Sequence, residues 1–221
     1  MINEEKIAIL ESSGCHEVEI GVQDLDASIN RDILKRNVDL NHLKNVIKSL
    51  RKAKILIYGD IILGLPNQKE QNLIDMANFF NENRLDFPMV FWLRYYPKTE
   101  IIDIAAKTGA LSQNDYAKLN YSYSFYVRGS TYNPRFTKLA NLFYLCSLLP
   151  SQLMKFIIKN KIYECFPPLL YRFTLSGIII TKIKVLWSLR FRKRGYYFAE
   201  RAQFYLHYFL EWIMVQFRCL S

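Results

Sequence analysis

The sequence predicts an α/β fold with parallel strands, and three observations carry that prediction. Amphipathic helical stretches alternate with short apolar runs. The second and third of those runs are apolar on both faces, as strands covered by helices are. The connecting loops are short, as in βαβ units. The 221 residues carry a net charge of +10, but unevenly. Residues 1–127 hold 15 Lys and Arg against 17 Asp and Glu, while residues 128–221 hold 15 against 3. The first part has the balance of a soluble domain. The second is basic and aromatic, which suits an anionic surface.

Residues 4–13 read as a short helix with Ile7 and Leu10 on one face, and Gly14 suits the turn that ends it. Residues 17–23 alternate in the manner of a strand. Between Asp39 and Lys54, Leu40, Leu43, Ile47 and Leu50 recur at helical spacing, giving an apolar stripe. Ile55 to Leu63 then reads as a buried strand, broken by Gly64-Leu65-Pro66-Asn67. A helix over Glu70 to Asn83, a buried strand over Pro88 to Tyr95 and a helix over Glu100 to Lys107 follow. Three central-type strands leave at least one raw hydrogen-bonding edge.

After Tyr126 the alternation stops. The sequence predicts a turn at Tyr132-Asn133-Pro134, helices over 135–148 and 151–163, and a break at Phe166-Pro167-Pro168. An apolar stretch leads to the basic cluster at 190–195, and an aromatic helix covers about 197–217. The most apolar window, Leu139 to Met154, contains Asn141, Pro150 and Gln152, too polar a set for a membrane span of about 18 residues. Cys15, Cys146, Cys165 and Cys219 fit no zinc ribbon or CxxC spacing and read as buried or idle thiols in a reducing cytosol. His16, His42 and His207 have no metal spacing. Met1 leads straight into a charged run, so no secretory signal is expected and the location read from the sequence is cytoplasmic.

Three segments carry a resemblance. Gly14-Cys15-His16-Glu17-Val18-Glu19-Ile20-Gly21-Val22-Gln23 resembles the fourth strand of radical S-adenosylmethionine (radical SAM) cores, G-x-x-x-V-x-[IL]-G-[VI]-[QE]. Asp60-Ile61-Ile62-Leu63-Gly64-Leu65-Pro66 resembles the fifth-strand motif D-x-I-x-G-L-P, and Tyr96-Pro97-Lys98-Thr99-Glu100 resembles the Y-P-G-T-E after the sixth. The Trp-Leu-Arg-Tyr-Tyr-Pro wording and the basic tail are closest to the cobalamin-binding branch. The resemblance covers about residues 4–120. It implies that residues 1–125 form the C-terminal half of a partial (β/α) TIM-like barrel, with 126–221 an α-helical basic extension.

The resemblance also implies roles. Gln23 matches a residue contacting the bound nucleoside or methionine part of S-adenosylmethionine. Lys35 or Arg36 falls where a cation meets the methionine carboxylate. Asp60 matches a ribose acceptor, and Ile62 with Gly64 matches the pair along which adenine lies. Read without the family, Gln23 and Asp60 are polar strand ends, and Lys35 and Arg36 are a solvated helix end. Asn67 and Lys98 stand where glycine is usual, so both turns are expected to differ. The larger departure is the absence of C-x-x-x-C-x-x-C, whose thiolates hold the family's [4Fe-4S] cluster. The expectation is therefore a truncated or split radical SAM protein, inactive alone. A separate chain would supply the missing half, and the complete protein would hold the cluster and cobalamin. The alternative is a noncatalytic interaction or membrane-peripheral remnant. For the tail, helical packing ranks first, membrane-surface contact second and nucleic acid last.

Overall fold

A computed structural model describes residues 2–121 and 134–165. The predicted turn residues 132–133, the break at 166–168, the basic cluster, the last aromatic helix and Cys219 lie outside the described residues.

The order is α1 (Glu4–Ser12), β1 (Glu17–Gln23), a one-turn π-helix (Ile29–Ile33), α2 (Leu40–Lys52), β2 (Leu56–Leu63), α3 (Glu70–Glu82), β3 (Phe87–Trp92), α4 (Glu100–Lys107), α5 (Gln113–Tyr121), α6 (Pro134–Cys146), α7 (Ser151–Lys159) and a short 3-10 turn (Ile162–Cys165). Side-chain caps explain two of the helix starts. The Asn3 side chain accepts the Lys6 N–H at 3.0 Å, and Asp39 accepts from Asn41 and His42 at 2.8 and 3.1 Å.

The sheet is parallel, in the order β1-β2-β3. Strands lying side by side in chain order, joined by right-handed crossovers, put their helices on one face. The core shows that arrangement. Val46, Ile47 and Leu50 of α2 and Leu73, Met76 and Phe80 of α3 cluster with Val22, Ile57, Ile61 and Leu63. Gly59 belongs to this side, where a Cβ would stand 2.5 Å from both Leu85 Cδ2 and Phe80 Cε1. The ring of Phe80 occupies the space that a larger residue would need.

The opposite face differs from expectation. The sequence reads β2 and β3 as strands buried on both sides, yet this face is covered in part: Ile62 clusters with Ile29 and Ile33 of the π-turn and Ile101 and Ile104 of α4, while the rest is more open. Tyr58, Asp60 and Ile62 are half-buried, and Met89 and Phe91 are 37% and 45% exposed. β3 also ends at Trp92 rather than Tyr95 and carries Pro88 within it. Proline lacks the amide N–H that an inner ladder needs, and among the described residues β3 is an edge strand paired with β2.

One compact unit runs from Met1 to Pro167 and takes in α6 and α7. Asn81, buried on α3, donates to Cys146 O at 2.8 Å and Leu149 O at 2.9 Å, satisfying carbonyls at the end of α6. Phe143 meets Phe80 edge-on at 6.0 Å. Composition changes near 127, while α6 packs on α3 and shares its core. α5 and the π-turn are elements that the sequence reading left unassigned. Among the described residues no helix is long and apolar enough to cross a membrane; Pro150 separates α6 from α7 within the window noted above.

Candidate functional site

Parallel strands bring their C-terminal ends to one rim, where loops and side chains converge. Here the rim is made by Gln23 and Asp24 after β1, by Leu63 to Gln68 after β2, and by the π-turn between β1 and α2.

β1 leaves the ladder abruptly. The pairing shifts between Gly21 and Gln23, and Gln23 sits at φ 62. The Asp24 N–H donates to Val22 O at 2.8 Å, closing a three-residue turn on Gln23. A side chain at positive φ in so tight a turn is strained, and it persists only where its surroundings enforce it. Gly21 is part of that enforcement. A Cβ there would lie 2.7 Å from Gln23 Nε2 and 3.9 Å from Arg36 Nη1, so the missing side chain admits the folded-back amide.

Arg36 clamps the same strand end. Its Nη1 and Nη2 donate to Gly21 O and Val22 O at 2.9 and 2.6 Å, and its Nε donates to Asn30 Oδ1 at 2.8 Å. Partial burial lowers the pKa of the guanidinium. Lys35 is directed elsewhere, pairing with Glu100 at 3.3 Å with both groups more than half exposed. Such a pair contributes little to stability.

Asp60 lies on the open face, with Met89 opposite on β3 and Gly21 opposite on β1. Its Oδ1 is buried and has no hydrogen-bond partner among the described residues. Burial, together with the hydrogen bond and charge of Glu19 one pair diagonal to it, pushes the Asp60 carboxyl up to about 6. Two residues on, Ile62 packs against Ile29, Ile33 and Leu65 and remains half-buried. Gly64 follows at φ 83, a left-handed conformation that its missing Cβ makes inexpensive.

A residue that the sequence reading did not single out ties these ends together. The Gln68 side-chain carbonyl accepts the Gly64 N–H at 2.8 Å, while its amide nitrogen donates to Ile62 O at 2.9 Å and Asp24 Oδ2 at 2.7 Å. Asp24 is fully buried, and that burial raises its pKa. The sequence signal was thin: an amide residue four positions after the turn glycine, and an acid next to Gln23. Asn67 and Lys98 also bear on the turns. Both adopt φ 63, the left-handed conformation glycine would supply, so these turns keep the geometry without the glycine.

The structure thus brings Gln23, Arg36, Ile62 and Gly64 to one end of the sheet. It places Asp60 on the adjoining open face and Lys35 on the outer surface. The arrangement offers a carboxyl group, a half-buried aliphatic side chain and backbone at a glycine. The described residues offer no ligand set for an iron–sulfur cluster. Among the described residues no three His, Cys, Asp or Glu side chains group closely enough to hold a metal ion. Cys146 is buried with its thiol on Ala77 O at 3.2 Å, and burial pushes its pKa well up; Cys15 is half-buried and Cys165 exposed.

No family model matches the chain. It is 31% identical over 87 residues to the bacteriochlorophyllide d C-12(1)-methyltransferase of Chlorobaculum tepidum. The match covers 39% of this chain and 19% of that protein. The likeness to a methyltransferase is therefore partial and distant.

Proposed function

We propose that this chain carries strands four to six of a radical SAM core, and that its rim binds the adenosyl part of S-adenosylmethionine. One observation supports this above others: the Asp60 carboxyl, with its Oδ1 buried and Glu19 beside it, lies on the face adjoining the sheet end that carries Gln23, Ile62 and Gly64. In this reading Asp60 accepts hydrogen bonds from ribose hydroxyls and Ile62 lies against adenine. The Gly64 backbone approaches closely, and the Gln23 amide contacts the rest of the molecule. Bound S-adenosylmethionine supplies an activated sulfonium. The partial match to a protein named as a methyltransferase accords with that chemistry. The cluster and any cobalamin belong to a separate chain or segment providing the other strands, and this chain by itself does not turn over.

Equilibrium dialysis of the full chain with labelled S-adenosylmethionine at pH 8 is the test. Saturable binding that weakens about tenfold in Asp60→Ala is expected, the loss of a hydrogen bond to a charged group. Absence of saturable uptake refutes the reading.

A second reading is peripheral contact with an anionic membrane surface. Leu153 and Phe156 are 44% and 57% exposed on α7, beside Lys155 and Lys159. Sedimentation with phosphatidylserine vesicles should fall in Phe156→Ser; equal sedimentation of both proteins sinks it.

A further inference from the structure

We propose that Gln68 is a positioning residue for the rim, fixing the Ile62–Gly64 backbone against the end of β1 and so setting the shelf for the adenosyl group. This rests on the functional reading above.

The case begins with the amide itself. It offers two N–H donors and one carbonyl acceptor, and here it serves three protein partners at once. An ionised carboxylate of the same shape has no donor for Ile62 O or Asp24, and an ammonium has no acceptor for the Gly64 N–H. The chemistry at 68 is therefore specific to an amide, although the residue lies in an ordinary βα turn.

The network continues on the far side. Asp24 Oδ1 accepts the Asp26 N–H at 2.8 Å, and Asp24 O accepts from Asn30 Nδ2 at 2.7 Å. Asn30 Oδ1 accepts from Arg36, which holds Gly21 O and Val22 O. A continuous path of hydrogen bonds thus runs from the β2 turn to the last carbonyls of β1, and Gln68 makes the crossing between strands. Strained Gln23 sits in the middle of the fixed segment. With Asp24 fully buried beneath the rim, Gln68 acts on a ligand through Gly64 and Ile62 rather than by touching it.

The test uses the full chain, labelled S-adenosylmethionine and two variants, Gln68→Leu and Gln68→Glu, with urea midpoints measured alongside. In Gln68→Glu at pH 8 two carboxylates face each other, and binding should weaken about tenfold relative to wild type. At pH 5 the pair takes up a proton, and the Glu hydroxyl can donate to Asp24 while its carbonyl accepts from Gly64. The ratio to wild type at pH 5 should then recover to within about threefold, as the hydrogen bond is remade. Gln68→Leu has no proton to gain and should stay weak at both pH values. A purely structural role would not produce recovery in one variant and not the other. Wild-type affinity for Gln68→Glu at pH 8, or no recovery at pH 5, overturns the clamp while the functional reading stands. A wild-type chain that takes up no S-adenosylmethionine overturns both.

Discussion

Replacing Asp60 by Asn should make this protein more stable at neutral pH and leave its stability unchanged in mild acid. The Asp60 carboxyl is raised from 3.8 to about 6 by burial and by Glu19. With water on the open face screening the pair, a rise of that size favours the protonated form by about 1 kcal/mol. The sign follows from proton binding. Between about pH 4 and pH 6 the folded state holds more protons than the unfolded chain, so this contribution to stability falls as pH rises through that window. Above it the cost is constant. Asn is neutral at all pH values and matches protonated Asp in shape. Urea unfolding of wild type and Asp60→Asn at pH 3.5 and 7.5 measures the difference directly. The variant should gain about 1 kcal/mol at pH 7.5 and almost nothing at pH 3.5. Glu19→Gln should produce part of the same gain, and the two together should not add, because they remove one shared interaction. A variant gain of equal size at both pH values, or a loss at pH 7.5, would refute the carboxylate pairing as the cause.

Two further predictions concern the covered side of the sheet. Gly59→Ala should destabilise by about 1–3 kcal/mol, because its methyl group meets Phe80 and Leu85 at 2.5 Å; a urea midpoint equal to wild type would show that the core gives way. Asn81→Ala should cost about 1–3 kcal/mol by orphaning Cys146 O, while Leu149 O keeps the Arg84 guanidinium at 3.1 Å. Hydrogen exchange should then rise in α6 and α7 before it rises in β2, and uniform exchange across all three would contradict the assigned role.

Much of the fold was legible because its signals are local. Leu43, Ile47 and Leu50 repeat at the helical period. Ile55 to Leu63 is too apolar for a solvated strand, and both stand in the structure close to where the sequence put them. The candidate site was legible as separate segments only. That Gln23 and the Asp60-to-Gly64 run share one end of a sheet follows from parallel pairing, which the alternating pattern implied. The clamp of Gln68 on Asp24 did not follow, since the two residues are 44 positions apart and nothing local marks either. Arg36 shows the same limit: its charge was visible, but not that three of its N–H groups would be spent within the protein.

The sequence by itself determined the α/β alternation and the split in charge, because each depends on residue type and short-range periodicity. Tertiary structure alone decided that one face of the sheet is covered only in part, that α6 and α7 join the same unit as the strands, and that Asp60 faces Glu19. The reason is geometric. Register and packing select which side chains meet, and a pattern of apolar residues is equally compatible with many such meetings.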